Sequence, residues 1–354
     1  MSYSGNKKII LHIGITKTGS TALQKFLVDN KELLSEQGAG YYNSSVISSP
    51  FQPYKNAEAL KFKSMLLCGE GIWADEKLVE EDLSKLKEWS KDYETIILSD
   101  EVLYSLPGGM RSLRPFLNEM FSGADIVPVV YFRRQDDWLE SAWKEDKKSR
   151  TNVNSLSIHS YKKRFDEFLH YGKRMLFLEK SYGRENFLVR KYDKNLIKKG
   201  ICRDFIESIG LEWDDRFVVP ENLTNASLSN AASEGVWLLT NIFRRINFMA
   251  PIILKLFKSD ITVCELYEEA LSFSEKHPDP KGERLLNIEE RRTLLKEFEE
   301  DNRYIARTYF GEDKLFDEPE NRGVLRENQK HEASMLQLGY WPPNAGALKN
   351  ILNE

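Results

Sequence analysis

Ile9–Leu27 reads IILHIGITKTGSTALQKFL, a strand, a tight loop and a helix. Ile9-Ile10-Leu11-His12-Ile13 is the kind of apolar run that a strand buried on both faces requires. Gly14 and Gly19 punctuate the loop. Ser20-Thr21 can cap a helix whose apolar side is Ala22, Leu23, Phe26 and Leu27. Such a loop turns several backbone N–H groups inward, and the helix behind it adds the positive end of its dipole. Together they hold an anion without needing a charged side chain.

The spacing resembles a nucleotide-binding P-loop with one departure. The Walker pattern is G-x-x-x-x-G-K-[ST]. Gly14 and Gly19 supply its frame, but Ser20 stands where the lysine belongs, and the lysine has moved into the loop as Lys17. The chain also carries no clear Walker-B aspartate. A Mg²⁺ triphosphate is poorly served by that arrangement. A donor with one compact anionic group at its 5′ end fits better, with Lys17 aimed at the bond being broken.

Thr16-Lys17-Thr18-Gly19-Ser20-Thr21 after a strand resembles the 5′-phosphosulfate loop of sulfotransferases that use 3′-phosphoadenosine-5′-phosphosulfate. A second motif points the same way. Tyr131-Phe132-Arg133-Arg134 ends a strand, and Ser141 follows on the next helix, eight positions after Arg133. An arginine at a strand end and a serine two turns into a helix can reach one anion beside the first loop. The guanidinium fork suits a phosphate, and the serine adds a neutral donor. In the sulfotransferases an Arg and a Ser at this spacing hold the donor's 3′-phosphate.

The resemblance extends over most of the chain from Lys8 to about Pro319, through Glu185–Asp193, Asn225–Ser229 and Asn302–Gly311. It is nearest to bacterial enzymes associated with capsule or other surface polysaccharides. It implies transfer of a sulfuryl group to a carbohydrate hydroxyl, with adenosine 3′,5′-bisphosphate as product and no metal. Thr16, Lys17, Thr18, Gly19, Ser20 and Thr21 would hold the 5′ end, and Arg133 and Ser141 the 3′-phosphate. Tyr192, ending a strand, either stacks on the adenine or packs. Two features differ from the small-molecule branch of the family. Asp100-Glu101 stands where that branch has a catalytic histidine, and its late Arg-Lys-Gly motif has only Asn321-Arg322-Gly323 as a counterpart.

Sulfuryl transfer, like phosphoryl transfer, depends mostly on positioning and charge stabilisation. Lys17 would neutralise the leaving phosphate oxygen. An alcohol acceptor needs a general base, and Glu101 is the first choice because it follows a strand on the ligand side of the sheet. Asp100 is the fallback. His12, inside the first strand, reads as a buried, hydrogen-bonded core residue rather than a base, and His159 and His170 as surface or packing residues. Trp138 and Trp143 either line the acceptor cleft or belong to the core.

The remaining sequence bounds the class. The chain has 354 residues, 41% hydrophobic and 30% charged, with net charge −4. That is a globular composition without the overall basic field that nucleic acid would require. Cys68, Cys202 and Cys264 are far apart and odd in number, which shows no metal-ligand spacing and argues against a disulfide framework. The apolar run 242–257 is broken by Arg244, Arg245, Asn247, Pro251 and Lys255, too short to span a bilayer. The first strand begins almost at the N-terminus, leaving no room for a signal peptide. A cytoplasmic protein with at most a peripheral membrane contact is expected.

Strands are expected at 95–99, 125–133 and 186–192, alternating with helices. That pattern predicts an α/β fold with a mostly parallel central sheet flanked by helices, followed by an α-helical C-terminal region. The expected helices include 57–65, 77–89, 136–148, 161–171, 179–183, 201–209, 229–248, 261–275 and 288–310. Gly38–Pro53 reads as loop, and Pro107-Gly108-Gly109 as a turn before a short helix. The expected segmentation is residues 1–225 for the donor-binding α/β domain, 226–316 for a helical region and 317–354 for an irregular tail. Two other classes remain to be weighed. A P-loop kinase would require Mg²⁺ and lacks its Walker lysine here. A non-catalytic scaffold would need neither Lys17 nor the Arg133/Ser141 pair.

Overall fold

The opening apolar run forms strand β1 (Lys8–His12), with Ile9, Ile10 and Leu11 buried. It is the middle strand of a five-stranded sheet of order β2-β3-β1-β4-β5, where β2 is Ala39–Tyr41, β3 Thr95–Ser99, β4 Asp125–Arg133 and β5 Leu188–Tyr192. Every pairing is parallel, with His12 opposite Ser99 on one side and Val129 on the other. Helices cover the sheet, as the apolar strands require. This is the α/β architecture expected. The computed structural model describes residues 7–42, 84–100, 103–105, 107–146, 156–220, 229–230, 232–233, 272, 274–276 and 284–321. Among these, no helix is long and apolar enough to cross a membrane.

The described residues fall into two compact units. The first is drawn from Met1–Arg134, Phe168–Leu223 and Phe298–Asp317, and the second from Gln135–Glu167, Thr224–Glu297 and Glu318–Glu354. In the first unit one core gathers Ile10, Ile97, Val129 and Tyr131 from the sheet. It adds Leu23, Phe26 and Leu27 from the helix Ser20–Asp29, and Phe205 and Ile206 from the helix Ile201–Ser208. Each such side chain, fully buried, contributes about 1.5–3 kcal/mol. Along β4 the side chains alternate, so Phe132 faces the other way and stacks on Tyr171 with ring centroids 4.6 Å apart.

Asp204 is a buried carboxylate beside that core. It accepts from the Tyr131 hydroxyl at 3.0 Å and from both ends of the Arg190 guanidinium. Desolvation pushes its carboxyl up, but Arg190, Tyr131 and Lys199 together bring it below the ordinary value. Cys202 is buried beside it in sequence, and desolvation pushes its thiol up to about 12, leaving it inert.

Several local expectations change. The stretch read as loop from Gly38 contains β2, a three-residue edge strand held by pairing with β3. Ala-Gly-Tyr is too short for a period-2 signal. Its glycine is dictated by the neighbouring aromatic rings, since a Cβ on Gly40 would lie 2.7 Å from the Trp89 ring. Pro107-Gly108-Gly109 opens the helix Pro107–Met120 rather than forming a separate turn. The interval between 171 and 179 is helical, in a helix Tyr171–Tyr182, and β5 begins at Leu188 after a 3-10 turn. The span 288–310 divides into Ile288–Glu297, Glu299–Ile305 and a π-helical turn Ala306–Phe310. The helix expected at 57–65 and most of those at 229–248 and 261–275 lie outside the described residues.

The helix Tyr171–Tyr182 passes very close to Glu299–Ile305. A Cβ on Gly172 would stand 2.8 Å from the Asp301 Cα and 2.9 Å from its carbonyl oxygen. Backbone atoms cannot step aside as a side chain can. Asp301 also receives the Lys173 N–H at 2.7 Å and pairs with His170 Nδ1 at 2.7 Å, so His170 is a packing residue. Gly172→Ala is expected to destabilise the protein by about 1–3 kcal/mol, the scale of overpacking. Urea denaturation checks this, and an unchanged midpoint would refute the close approach.

In the second unit the helix Gln135–Asp146 buries Trp138 and Trp143. Trp138 meets the Phe165 ring edge-on at 5.7 Å, and Trp143 donates its indole N–H to the Leu156 carbonyl at 3.0 Å. Both tryptophans are core residues. Arg291, 1% exposed, pairs with the buried Asp136, while Arg284 pairs with Asp137 and Glu140. A buried charge is tolerable only when paired and hydrogen-bonded in this way.

Candidate functional site

In a sheet of this order the chain leaves β1 toward β2 and leaves β4 toward β5, in opposite directions. The carboxyl ends of β1 and β4 therefore flank a topological switch point, where open α/β sheets hold ligands. The segment after β1 is the glycine-framed loop. The last residue of β4 is Arg133.

The loop's backbone is specialised. Lys17 has φ 68°, the one positive φ outside glycine among the described residues, and Gly19 has φ 84°. A left-handed non-glycine residue costs about 1–2 kcal/mol, and such strain concentrates at functional sites. Thr18 is fully buried and donates to the Ile15 carbonyl at 2.5 Å, which ties the loop back on itself. Gly14 is required by space. A Cβ there would stand 2.8 Å from Ser20 Oγ and 3.0 Å from His12 Cε1.

The helix begins at Ser20, with Gly19 as its N-cap. Ser20-Thr21 thus form its first turn instead of capping it. The left-handed Gly19 makes the turn that a capping side chain makes elsewhere. Among the described residues no side chain caps this terminus, and its first turn holds no acidic residue. Its orphan N–H groups and the dipole are available to an anion. Ser20 Oγ is buried with no hydrogen-bond partner among the described residues. Thr16, Lys17 and Gly19 are half-buried, and Thr21 is exposed.

Arg133 comes to this loop from β4. Its Nη1 donates to the Lys17 carbonyl at 2.7 Å. The guanidinium also lies over the Tyr192 ring, 5.6 Å from its centroid, at the scale of a cation–π contact. Tyr192 in turn lies beside the loop, its Cε2 3.6 Å from where a Gly19 Cβ would stand. Tyr171, which sequence reasoning did not single out, donates its hydroxyl to the Arg133 carbonyl at 2.8 Å and steadies the strand end. No sequence signal marks that contact, because the partners lie far apart in the chain. Lys17, Gly19, Arg133 and Tyr192 are thus brought together.

The other expected residues stand as follows. Glu101 lies outside the described residues. Asp100, next to it, is buried, and its N–H donates to the His12 carbonyl at 2.9 Å, so the chain leaving β3 starts beside the loop. Ser141 is half-buried on the helix Gln135–Asp146 in the second unit, and its pairing with Arg133 stays an expectation of the resemblance. His12 is fully buried with Nδ1 2.8 Å from Ser99 Oγ, and desolvation lowers its pKa to about 4. It is a neutral core histidine, unsuited to act as a base from that position.

No family model matches the chain. An uncharacterized protein of Archaeoglobus fulgidus is 28% identical over 250 residues, which is 66% of this chain and 57% of that relative's length. Among solved structures, a sulfotransferase from Alicyclobacillus acidocaldarius superposes with a TM-score of 0.39 at 13% identity, over 70% of this chain and 97% of that one. That likeness is too slight to bear on the site, whose reading rests on its own residues.

Proposed function

We propose that the protein is a sulfotransferase that moves a sulfuryl group from 3′-phosphoadenosine-5′-phosphosulfate to a carbohydrate hydroxyl, with a bacterial surface polysaccharide or its precursor as acceptor. The observation that carries the reading is the junction of loop and arginine. A glycine-framed loop with an orphan Ser20 hydroxyl and an uncapped helix terminus meets the Arg133 guanidinium at the switch point of the sheet. One anion suits the loop. A second, on the same ligand, suits the guanidinium, whose five N–H donors are only partly taken by the Lys17 carbonyl.

In the reaction the acceptor oxygen forms a bond to sulfur as the bond from sulfur to the 5′-phosphate oxygen breaks. The acceptor's proton passes to a carboxylate, with Glu101 the first choice. Adenosine 3′,5′-bisphosphate leaves. Lys17 and the loop N–H groups meet the charge that grows on the leaving oxygen. A kinase reading is less well supported. Ser20, at the Walker-lysine position, is a buried neutral hydroxyl that cannot bridge β- and γ-phosphates.

The test is a calorimetric titration with adenosine 3′,5′-bisphosphate in the presence of a chelator. Binding is expected without added metal. The ligand should raise the melting temperature, because a ligand of the native state stabilises it by RT ln(1 + [L]/Kd). No heat and no shift at millimolar nucleotide, or an absolute Mg²⁺ requirement, would overturn the reading.

A further inference from the structure

His12 closes β1 directly before the anion loop, and its side chain is fully buried. The direction of its hydrogen bonds follows from its neighbours. Gln24 Nε2 lies 3.2 Å from Ser99 Oγ and 3.5 Å from the Ser99 carbonyl oxygen. A carbonyl can only accept, so the Gln24 amide presents its N–H side to Ser99. Ser99 Oγ, accepting from Gln24, keeps its own O–H to give, and His12 Nδ1 lies 2.8 Å away. With that O–H given to Nδ1, the neutral imidazole would carry its proton on Nε2.

That Nε2 is buried with no partner among the described residues, and so is Ser20 Oγ. The two flank the same glycine. A Cβ on Gly14 would stand 3.1 Å from His12 Nε2 and 2.8 Å from Ser20 Oγ. Buried polar atoms are rarely left unpaired. Here an imidazole nitrogen and a hydroxyl stand on either side of the gap left by the missing side chain.

We infer that His12 is a positioning residue for the anion loop: Ser99 donates to its Nδ1 and, with an anion bound, its Nε2–H donates to Ser20 Oγ, so that the Ser20 proton is directed at the anion. The chain Gln24, Ser99, His12, Ser20 then runs with every donor pointing the same way, and each bond polarises the next. Burial keeps the imidazole neutral, with a pKa of about 4, so the relay delivers a hydrogen bond without placing a charge under the loop. The inference rests on the loop being the anion site proposed above.

The experiment combines a double-mutant cycle with imidazole ¹⁵N NMR. Affinity for adenosine 3′,5′-bisphosphate is measured for wild type, His12→Leu, Ser20→Ala and the double variant. His12→Leu is expected to weaken binding about 5- to 20-fold, and to have almost no further effect once Ser20 is alanine. His12→Gln, which keeps an amide N–H near the Nε2 position, should recover most of the loss. Equal losses from His12→Leu in both backgrounds would overturn the relay. The NMR arm uses the wild-type protein, so it does not depend on the variants folding. A proton on Nε2 that shifts downfield with nucleotide supports the inference, and a proton on Nδ1 overturns it. If wild type binds no nucleotide, the donor reading fails, while the tautomer of the unliganded protein still judges the relay.

Discussion

Arg133→Ala is expected to weaken binding of adenosine 3′,5′-bisphosphate by about 2–4 kcal/mol, or roughly 30- to 1,000-fold, the scale for losing a buried charge-assisted pair. Two consequences of the geometry shape the result. The guanidinium supplies the fork proposed for the 3′-phosphate, and its Nη1 also braces the loop through the Lys17 carbonyl. Adenosine 5′-phosphosulfate, which lacks the 3′-phosphate, separates the two. If Arg133 mainly reads that phosphate, the affinity for adenosine 5′-phosphosulfate falls far less than that for the bisphosphate. Equal losses for both ligands would show that Arg133 acts only as a brace. Arg133→Lys keeps the charge without the fork, and should recover only part of the affinity.

The second large effect separates Lys17 from Glu101. Lys17→Ala is expected to lower turnover by about 10²–10³-fold, as removal of one group stabilising a developing oxyanion does, and also to weaken the donor. Turnover is read as release of adenosine 3′,5′-bisphosphate from the sulfuryl donor with a carbohydrate acceptor. Lys17→Gly adds a control that the backbone makes available. It removes the same charge but relieves the left-handed strain at φ 68°, about 1–2 kcal/mol, against a glycine entropy cost of about 0.5–1 kcal/mol. It should melt no lower than wild type while remaining as slow as Lys17→Ala, which excludes unfolding as the cause. Glu101→Gln should instead leave donor affinity nearly intact and lower turnover by about 10²–10⁴-fold, the range for a general base. Near-normal turnover of Glu101→Gln would move the base to another residue, with Asp100 examined next.

The way the site was readable differs from residue to residue. The glycine-framed loop that carries Lys17 and Ser20 was legible because it is a local object. Its glycines, its strand before and its helix after lie within one short stretch, so spacing alone carries the message. Arg133 was legible for the same kind of reason, as a cation ending an apolar strand. That Arg133 comes beside the loop was expected too, but its direct bond to the Lys17 carbonyl was not, because the two residues are 116 positions apart. Nor was β2, whose three residues are a strand only because Thr95–Ile97 pair with them. The tryptophans of the helix Gln135–Asp146 carried two readings in the sequence, and their burial among helices decided for the core.

Read alone, the chain's residues specify the class of fold and the glycine frame of the loop after β1. Both follow from local physics: apolar runs that must be buried on both faces, and glycines where a side chain would collide, as at Gly14, or where φ is positive, as at Gly19. Tertiary structure alone decided which strand lies beside β1, and so which side chain meets the loop. It also set the hydrogen-bond partner of His12, which burial keeps neutral. The register that sets His12 against Ser99, and Gln24 against Ser99 in turn, is a sum of long-range contacts that no short stretch encodes. Burial removes the charge from the imidazole, and burial belongs to the packed molecule rather than to the residue.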